Sequence, residues 1–464
     1  MERISHTPVG GASAAGPLWL SRWQRCGLAG LLLGVVFLGF MVEKRTAFLH
    51  QRMGDLEVFV RTAWAVRAGD DIYAITDSKG FHYLYPPLFA ILLVPLADPP
   101  AGVQQPWTLP FPLTAALWYV FNVLCLVVAV HWLAGALERL SSDAAVRAQP
   151  AGCRRWWALR VLPVLACLAP IGHTLMRGQV GLLLLLLLSG MAVSAVRGRR
   201  WQAGLWLAGA ICLKVIPAFL LLFPLWRRDV RCLGGCAVGL VIGLAVIPAA
   251  VFGPGRTVTY YREWADVMLW PAMADGRDQS RAKELLEMTA TDSQSLLVAF
   301  HNLRYPDRAT RPRQADPETR LAHWLVGGAL TVLALLAAGW RRPGDGFTAV
   351  VFLGMLIVLM LLLSPVCHLH YFCLSVPLLM AILATAWERQ RTGHVGMGIV
   401  GLLAAYALAN ALPQFPGLEP MRDLGLATGA AVALWLVGGV VLWRRTRLRA
   451  VPAVEHAHVS QAAA

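Results

Sequence analysis

The sequence predicts an all-α, polytopic integral membrane protein of about twelve membrane helices, and three observations carry that expectation. The first is composition: of 464 residues, 57% are hydrophobic and only 14% are charged, where soluble domains carry roughly 25% charged residues. Mean hydropathy is +0.58. The second is that apolar residues fall in runs, many near the ~20 residues needed to cross a hydrocarbon core. The third is the placement of positive charge. Lys and Arg number 41 against 26 Asp and Glu, a net charge of +15, and they cluster in short loops between apolar runs. Cytoplasmic loops of membrane proteins carry such a bias. No like-charge block is long enough for a nucleic-acid tail, so no nucleic-acid partner is expected.

Residues 1–25 read as a cytoplasmic tail, with Arg22 and Arg25 preceding a first span at Cys26–Val42. No small-residue cleavage pattern follows, so this span reads as an uncleaved anchor. Residues 26–449 form a single polytopic domain, and 450–464 read as a disordered cytoplasmic tail. Two polar segments, about 43–112 and 253–323, are expected outside the cytoplasm. The second is too long for a simple connection in a compact bundle and reads as a functional loop.

Within the first loop, Asp55 to Gly69 reads as an amphipathic helix lying on the membrane surface. Leu56, Phe59, Val60, Ala63 and Trp64 fall on one stripe at helical spacing, and Glu57 and Arg61 fall elsewhere. Asp55 is expected at the N-cap and Gly69 as the stop. Pro87–Leu96 is too short to span and reads as a helix on, or dipping into, the bilayer. Spans follow at Leu113–Leu137, Leu159–Met176 and Val180–Val196, the last two joined by a tight turn at Arg177-Gly178-Gln179.

Trp201–Trp226 has the length of one helix, yet arginines flank both ends and Lys214 and Pro217 stand in its middle. Two half-helices meeting at a hairpin apex near Lys214 keep the basic loops on one side. Later spans are expected at Cys232–Phe252, Trp324–Trp340, Phe347–Leu363, Tyr371–Trp387, Val395–Leu412 and Leu424–Trp443. The nine cysteines are scattered without a CxxC pair, which supports neither a zinc site nor a disulfide framework.

This topology gathers Asp55, Asp70, Asp71, Tyr73, Tyr85, Arg177, Gln179, Lys214, His368 and His370 on the outer face. Asp55 reads either as a helix cap or as a catalytic carboxylate. Lys214 lies too far from either Arg-rich end to snorkel, and a compact ammonium suits a phosphate as a point charge. His368 and His370, two apart on a turn, offer only two ligands to a metal, with no carboxylate near in sequence. They read as substrate hydrogen-bonding groups or as a plain interfacial pair. Tyr85-Pro86-Pro87 sets chain direction.

Seven segments in order resemble the polytopic GT-C glycosyltransferases that use a polyprenyl-phosphate sugar, in particular family 87, the bacterial α-mannosyltransferases. They are Gly54-Asp55-Leu56, Ala68-Gly69-Asp70-Asp71-Ile72-Tyr73, Tyr85-Pro86-Pro87-Leu88, Gly178-Gln179, Ala203-Gly204 through Lys214-Val215-Ile216-Pro217, Ser293-Gln294-Ser295-Leu296, and Ser364-Pro365 with His370-Tyr371. His368 stands where that family usually has Trp, and Gly181 and Asp292 where it often has Asn.

The resemblance implies a GT-C fold in the cell membrane and an inverting transfer of a hexose, with mannose the expected sugar, on the extracytoplasmic face. Asp55 would be the general base, and Lys214, with Arg177, would stabilise the phosphate leaving group. His370, His368, Gln179, Tyr85, Tyr73 and Asp71 would bind substrate. Donor and acceptor are then a polyprenyl-phosphate sugar and a lipid or glycan hydroxyl, among membrane lipids. No soluble cofactor is expected, and divalent-metal use is left open. The competing readings are a secondary transporter, with intramembrane charges as coupling sites, and a non-catalytic lipid-handling protein.

Overall fold

The computed structural model describes residues 21–100, 102–103, 107–147, 149, 151–272, 281–285, 287–288, 292–339, 345–389 and 396–448. Most of the expected N-terminal tail and all of 450–464 lie outside them. Among the described residues the secondary structure is helical, with two isolated antiparallel bridges, Thr76–His82 and Ser293–His368, and no strand. Eight helices are long and apolar enough to cross a membrane, or nine if one bent pair is a single span. The chain is a multi-pass membrane protein. The sequence-based figure of about twelve also counts shorter apolar helices such as Gly181–Val196 and Ile216–Trp226.

Helix α1 (Arg22–Glu43) opens on a capping box in which Ser21 and Gln24 exchange hydrogen bonds. Its Leu33, Val36, Phe37 and Phe40 stay exposed, as suits a helix at the lipid boundary. Helix α2 (Gly54–Ala68) ends at Gly69, whose φ of 78° is the left-handed C-cap expected there. Two features of α2 differ from the sequence reading. Met53, not Asp55, is the N-cap, and Asp55 sits inside the first turn.

The second difference is burial. Glu57, Val58, Thr62 and Ala65 are buried along with the apolar stripe, so α2 is packed into the protein rather than laid on a surface. Glu57 tolerates this because Arg61 lies 2.9 Å from its carboxylate and the Ser78 N–H donates to it at 3.2 Å. A buried carboxylate so partnered escapes the cost of an isolated charge.

Helix α3 (Pro87–Leu92), with Pro87 in its first turn, packs against α2 and buries Phe89. Helix α4 (Phe111–Arg139) runs the height of the bundle. After a short turn, α5 (Ala144–Arg147), the expected span Leu159–Met176 is instead two helices, α6 (Arg154–Ala166) and α7 (Leu168–Arg177), bent by 64°. Pro170 explains the break: it has no N–H for the Ala166 carbonyl, and its ring collides with that turn.

Helix α8 (Gly181–Val196) packs between α4 and α9 (Arg200–Leu213). Lys214 breaks α9 with extended backbone, φ −150° and ψ 129°. The chain continues through a 3-10 turn (Ile216–Leu221) into α10 (Leu222–Trp226), then α11 (Val230–Phe252). Small residues fix how α9 and α11 meet. A methyl group on Gly204 would lie 2.0 Å from the Cys232 carbonyl oxygen, one on Gly235 2.3 Å from that of Trp201, and one on Gly239 2.6 Å from Ala208. This register runs parallel, and the Arg200–Asp229 ion pair (3.7 Å) joins the two starts. The segment after Lys214 therefore doubles back, as the hairpin reading requires.

The later helices are α12 (Pro254–Trp264), α13 (Leu296–Arg304), α14 (Pro317–Ala338), α15 (Gly346–Leu363), α16 (Val376–Arg389), α17 (Met397–Ala411) and α18 (Leu426–Leu448). Helix α15 is apolar on every face and almost wholly buried, so it forms the centre around which α8, α14, α16 and α18 pack.

Candidate active site

Five segments distant in sequence converge near the N-terminal end of α4. Helix α7 ends at Gly178, whose φ is 71°. A side chain there would also meet α2, since its Cβ would lie 2.6 Å from that of Leu56. Glycine is needed twice over, for the left-handed turn and for the close approach. Trp118 on α4 secures the turn by donating its indole N–H to the Gly178 carbonyl at 2.8 Å. That approach brings Asp55 beside Arg177, and the Arg177 Nε donates to Asp55 Oδ2 at 2.8 Å. The pair is partly open, with side-chain exposures of 25% for Asp55 and 42% for Arg177. As a first-turn residue, Asp55 also meets the positive end of the α2 dipole.

Lys214, at the break after α9, forms the other half of the cluster. Its ammonium donates to the Tyr85 hydroxyl at 3.2 Å and to the Tyr371 hydroxyl, and sits 4.8 Å and 4.2 Å from those two ring centroids. The Tyr85 hydroxyl donates in turn to Gln179 Oε1 at 3.3 Å. Gln179 is two residues from Arg177, so one connected set of contacts runs from the carboxylate to the ammonium. The Asp55 and Lys214 charges act on one another.

Histidines form the wall between them. His173 and His370 stack at 5.9 Å, His370 and His368 at 5.4 Å, and His370 lies 4.2 Å from the Tyr371 ring. His370 is completely buried, yet neither ring nitrogen has a hydrogen-bond partner, and Nδ1 of His173 and of His368 is likewise unpartnered. Buried polar atoms are nearly always satisfied, so these nitrogens stand out as exceptions. Burial, followed by the Arg177 charge, holds the His368 imidazole down to about 4, which keeps it neutral near pH 7. Burial raises the Tyr85 phenol well above its usual range, so it stays a neutral donor.

The structure thus joins Asp55, Arg177, Gln179, Tyr85, Lys214, His368 and His370. Tyr73 stands one layer behind, its hydroxyl donating to the Tyr85 carbonyl at 3.2 Å. Asp71 is outside the cluster: it accepts the Tyr73 N–H at 2.9 Å and closes a local turn. Sequence reasoning missed His173 and Tyr371 as members. His173 lies one helical turn before Arg177, which was the available signal. Among the described residues, no group of three or more His, Cys, Asp or Glu is placed to hold a metal ion.

The chain is an apolar multi-helix body with charged and hydrogen-bonding groups gathered in one partly open cluster. The family model for glycosyltransferase family 87 matches residues 83–365, and the chain belongs to that family; it is a membrane glycosyltransferase. Two curated relatives are both polyprenol-phosphate-mannose-dependent alpha-(1-2)-phosphatidylinositol mannoside mannosyltransferases. The protein of Mycolicibacterium smegmatis is 26% identical over 432 residues, covering 89% of this chain and 85% of its own. That of Mycobacterium tuberculosis is 25% identical over 411 residues, covering 86% and 84%. No solved structure matches the chain.

Proposed function

We propose that this protein transfers a mannosyl group from a polyprenol-phosphate-mannose donor to a hydroxyl of a lipid or glycan acceptor, on the extracytoplasmic face of the cell membrane. The observation that carries this reading is the connected cluster of Asp55, Arg177, Gln179, Tyr85 and Lys214. It sets a carboxylate and an ammonium on one site, as a base and a phosphate-binding group require. The names of the two relatives support the donor.

In this mechanism Asp55 accepts the proton of the acceptor hydroxyl as its oxygen attacks the anomeric carbon. The bond from that carbon to the phosphate oxygen breaks, and the electron pair leaves with polyprenyl phosphate. A single displacement of this kind inverts the anomeric centre. The leaving group is already anionic, so it needs charge stabilisation more than a proton, and Lys214 supplies it with the Tyr85 and Tyr371 hydroxyls beside it. Arg177 holds the Asp55 carboxylate in place. The unpartnered nitrogens of His370 and His368 bond sugar or phosphate oxygens. The donor's lipid tail stays among the bilayer lipids, which supplies proximity without a soluble cofactor.

The test is to incubate the purified protein with mannosyl and other polyprenyl-phosphate sugars and a membrane-lipid extract, and to identify products by mass spectrometry. A mannosylated product that disappears in the Asp55→Asn protein supports the proposal. Uptake of solute by proteoliposomes without any sugar transfer would replace it with the transporter reading.

A further inference from the structure

A second polar site lies at the opposite end of α4. Trp118 touches the catalytic turn, and Arg139 is 21 residues further along the same helix, roughly 30 Å away at 1.5 Å per residue. There the last turn of α4, the start of α6 and the link between them enclose a cavity of about 170 Å³. Its walls include Glu138, Arg139, Arg147, Gln149, Arg155 and Trp156. A single water needs only about 10–15 Å³ of such space, so a phosphate ester group fits.

The cavity lining is basic, with Arg139, Arg147 and Arg155 against one carboxylate, Glu138, while Glu388 and Asp143 also act on Arg155 from nearby. Its one acid is already committed, because both Glu138 oxygens accept from the Arg160 guanidinium, at 2.6 and 3.1 Å. Nearby Glu388 is tied to Arg445 and to the Ser142 N–H. Arg147 is anchored through the Ser141 carbonyl at 2.7 Å. Among the described residues, neither Arg139 nor Arg155 forms an ion pair within 4 Å, and the Arg155 guanidinium lies 5.7 Å over the Trp387 ring. Basic loops are common at the cytoplasmic ends of membrane helices. A cavity ringed by three guanidiniums, with its acid held by a fourth, goes beyond that general bias.

We propose that this cavity binds a phosphate group. Guanidinium forks match phosphate oxygens with paired hydrogen bonds, and Arg139, Arg147 and Arg155 all line the cavity. The position at the ends of apolar helices, beside Trp156 and Trp157, makes an anionic phospholipid headgroup the leading source, with free phosphate the other.

The experiment uses the full chain in nanodiscs of phosphatidylcholine with a minor fraction of phosphatidylglycerol. Retained lipid is read by native mass spectrometry, and thermal stability is followed with and without inorganic phosphate. The wild-type protein should retain phosphatidylglycerol over phosphatidylcholine. The R139Q/R155Q protein should retain at least tenfold less, R139K/R155K should keep most of the preference, and R444Q/R447Q, a basic pair on α18, should leave it unchanged. Stabilisation by inorganic phosphate without preference for phosphatidylglycerol, lost in R139Q/R155Q, would support the site with free phosphate as its source. Equal retention by R139Q/R155Q and wild type, or an equal loss in R444Q/R447Q, would overturn the proposal. The lysine pair separates a lost anion site from a misfolded protein.

Discussion

Two carboxylate–arginine pairs stand at opposite ends of the bundle, and they are built differently. At one end Glu138 takes two hydrogen bonds from Arg160, which also donates to the Trp156 carbonyl at 2.9 Å and lies 3.9 Å over the Trp156 ring. Both Glu138 oxygens and all three Arg160 guanidinium nitrogens are used, and the pair holds α4 to α6. At the other end Arg177 reaches Asp55 through one nitrogen and one oxygen, and both side chains stay partly exposed. A closed pair locks two helices together. An open one leaves a lone pair free to take a proton while the arginine fixes its direction.

Substitutions should separate the two pairs. The largest expected effect is Asp55→Asn, which keeps the shape and removes the proposed base. Turnover should fall by about 10²–10⁴-fold, with the thermal unfolding midpoint in detergent little changed, because the pair is open to solvent and worth little to stability. Full transfer activity in that protein would remove Asp55 from the chemistry. Glu138→Gln should do the reverse. Removing one partner of a fully buried pair costs about 3–5 kcal/mol, and less here because the Glu138 side chain is 27% exposed; the loss is read as a lower unfolding midpoint, while turnover per folded molecule stays near wild type.

Lys214→Ala sharpens the comparison from the donor side. A charge-assisted hydrogen bond to phosphate is worth about 1.5–3 kcal/mol, so donor affinity should weaken by roughly 10–100-fold. Binding of a polyprenyl phosphate measured by titration checks this, and unchanged affinity would take Lys214 out of the phosphate site. The same variant should leave the Glu138 end untouched.

Much of this arrangement could be read from local chemistry. Gly69 and Gly178 mark helix ends because their backbone angles favour glycine, and Lys214 with Pro217 marks a hairpin because a lone charge and a proline both resist a straight apolar helix. What escaped the sequence depends on partners far along the chain. Glu57 looked like a polar-face residue until Arg61 and the Ser78 amide were brought around it. Lys214 and Tyr85 are 129 residues apart and Asp55 and Arg177 are 122 apart, so only the fold makes them neighbours. His173 became part of the site through stacking on His370, a contact no spacing rule encodes. The bend at Pro170 was legible in principle, since a proline that far inside an apolar run removes a backbone hydrogen bond.

The last expected effect is a pH dependence set by the histidine wall, and its sign follows from His368. Burial, then the Arg177 charge, holds its imidazole at about 4 against an ordinary 6.5, with Lys214 acting in the same direction. Between those values the unfolded chain binds a proton that the folded chain refuses, so acidification stabilises the unfolded state. Stability should therefore be insensitive to this residue above about pH 6.5, fall as pH drops towards 4, and change no further through it below that. The comparison that isolates the effect is wild type against His368→Gln, with unfolding midpoints recorded from pH 8 to pH 4. The wild-type curve should drop more steeply across that window, because glutamine has no proton to gain. Parallel curves would mean that water or a ligand reaches His368 and lets it titrate normally, and the wall would then be open to solvent.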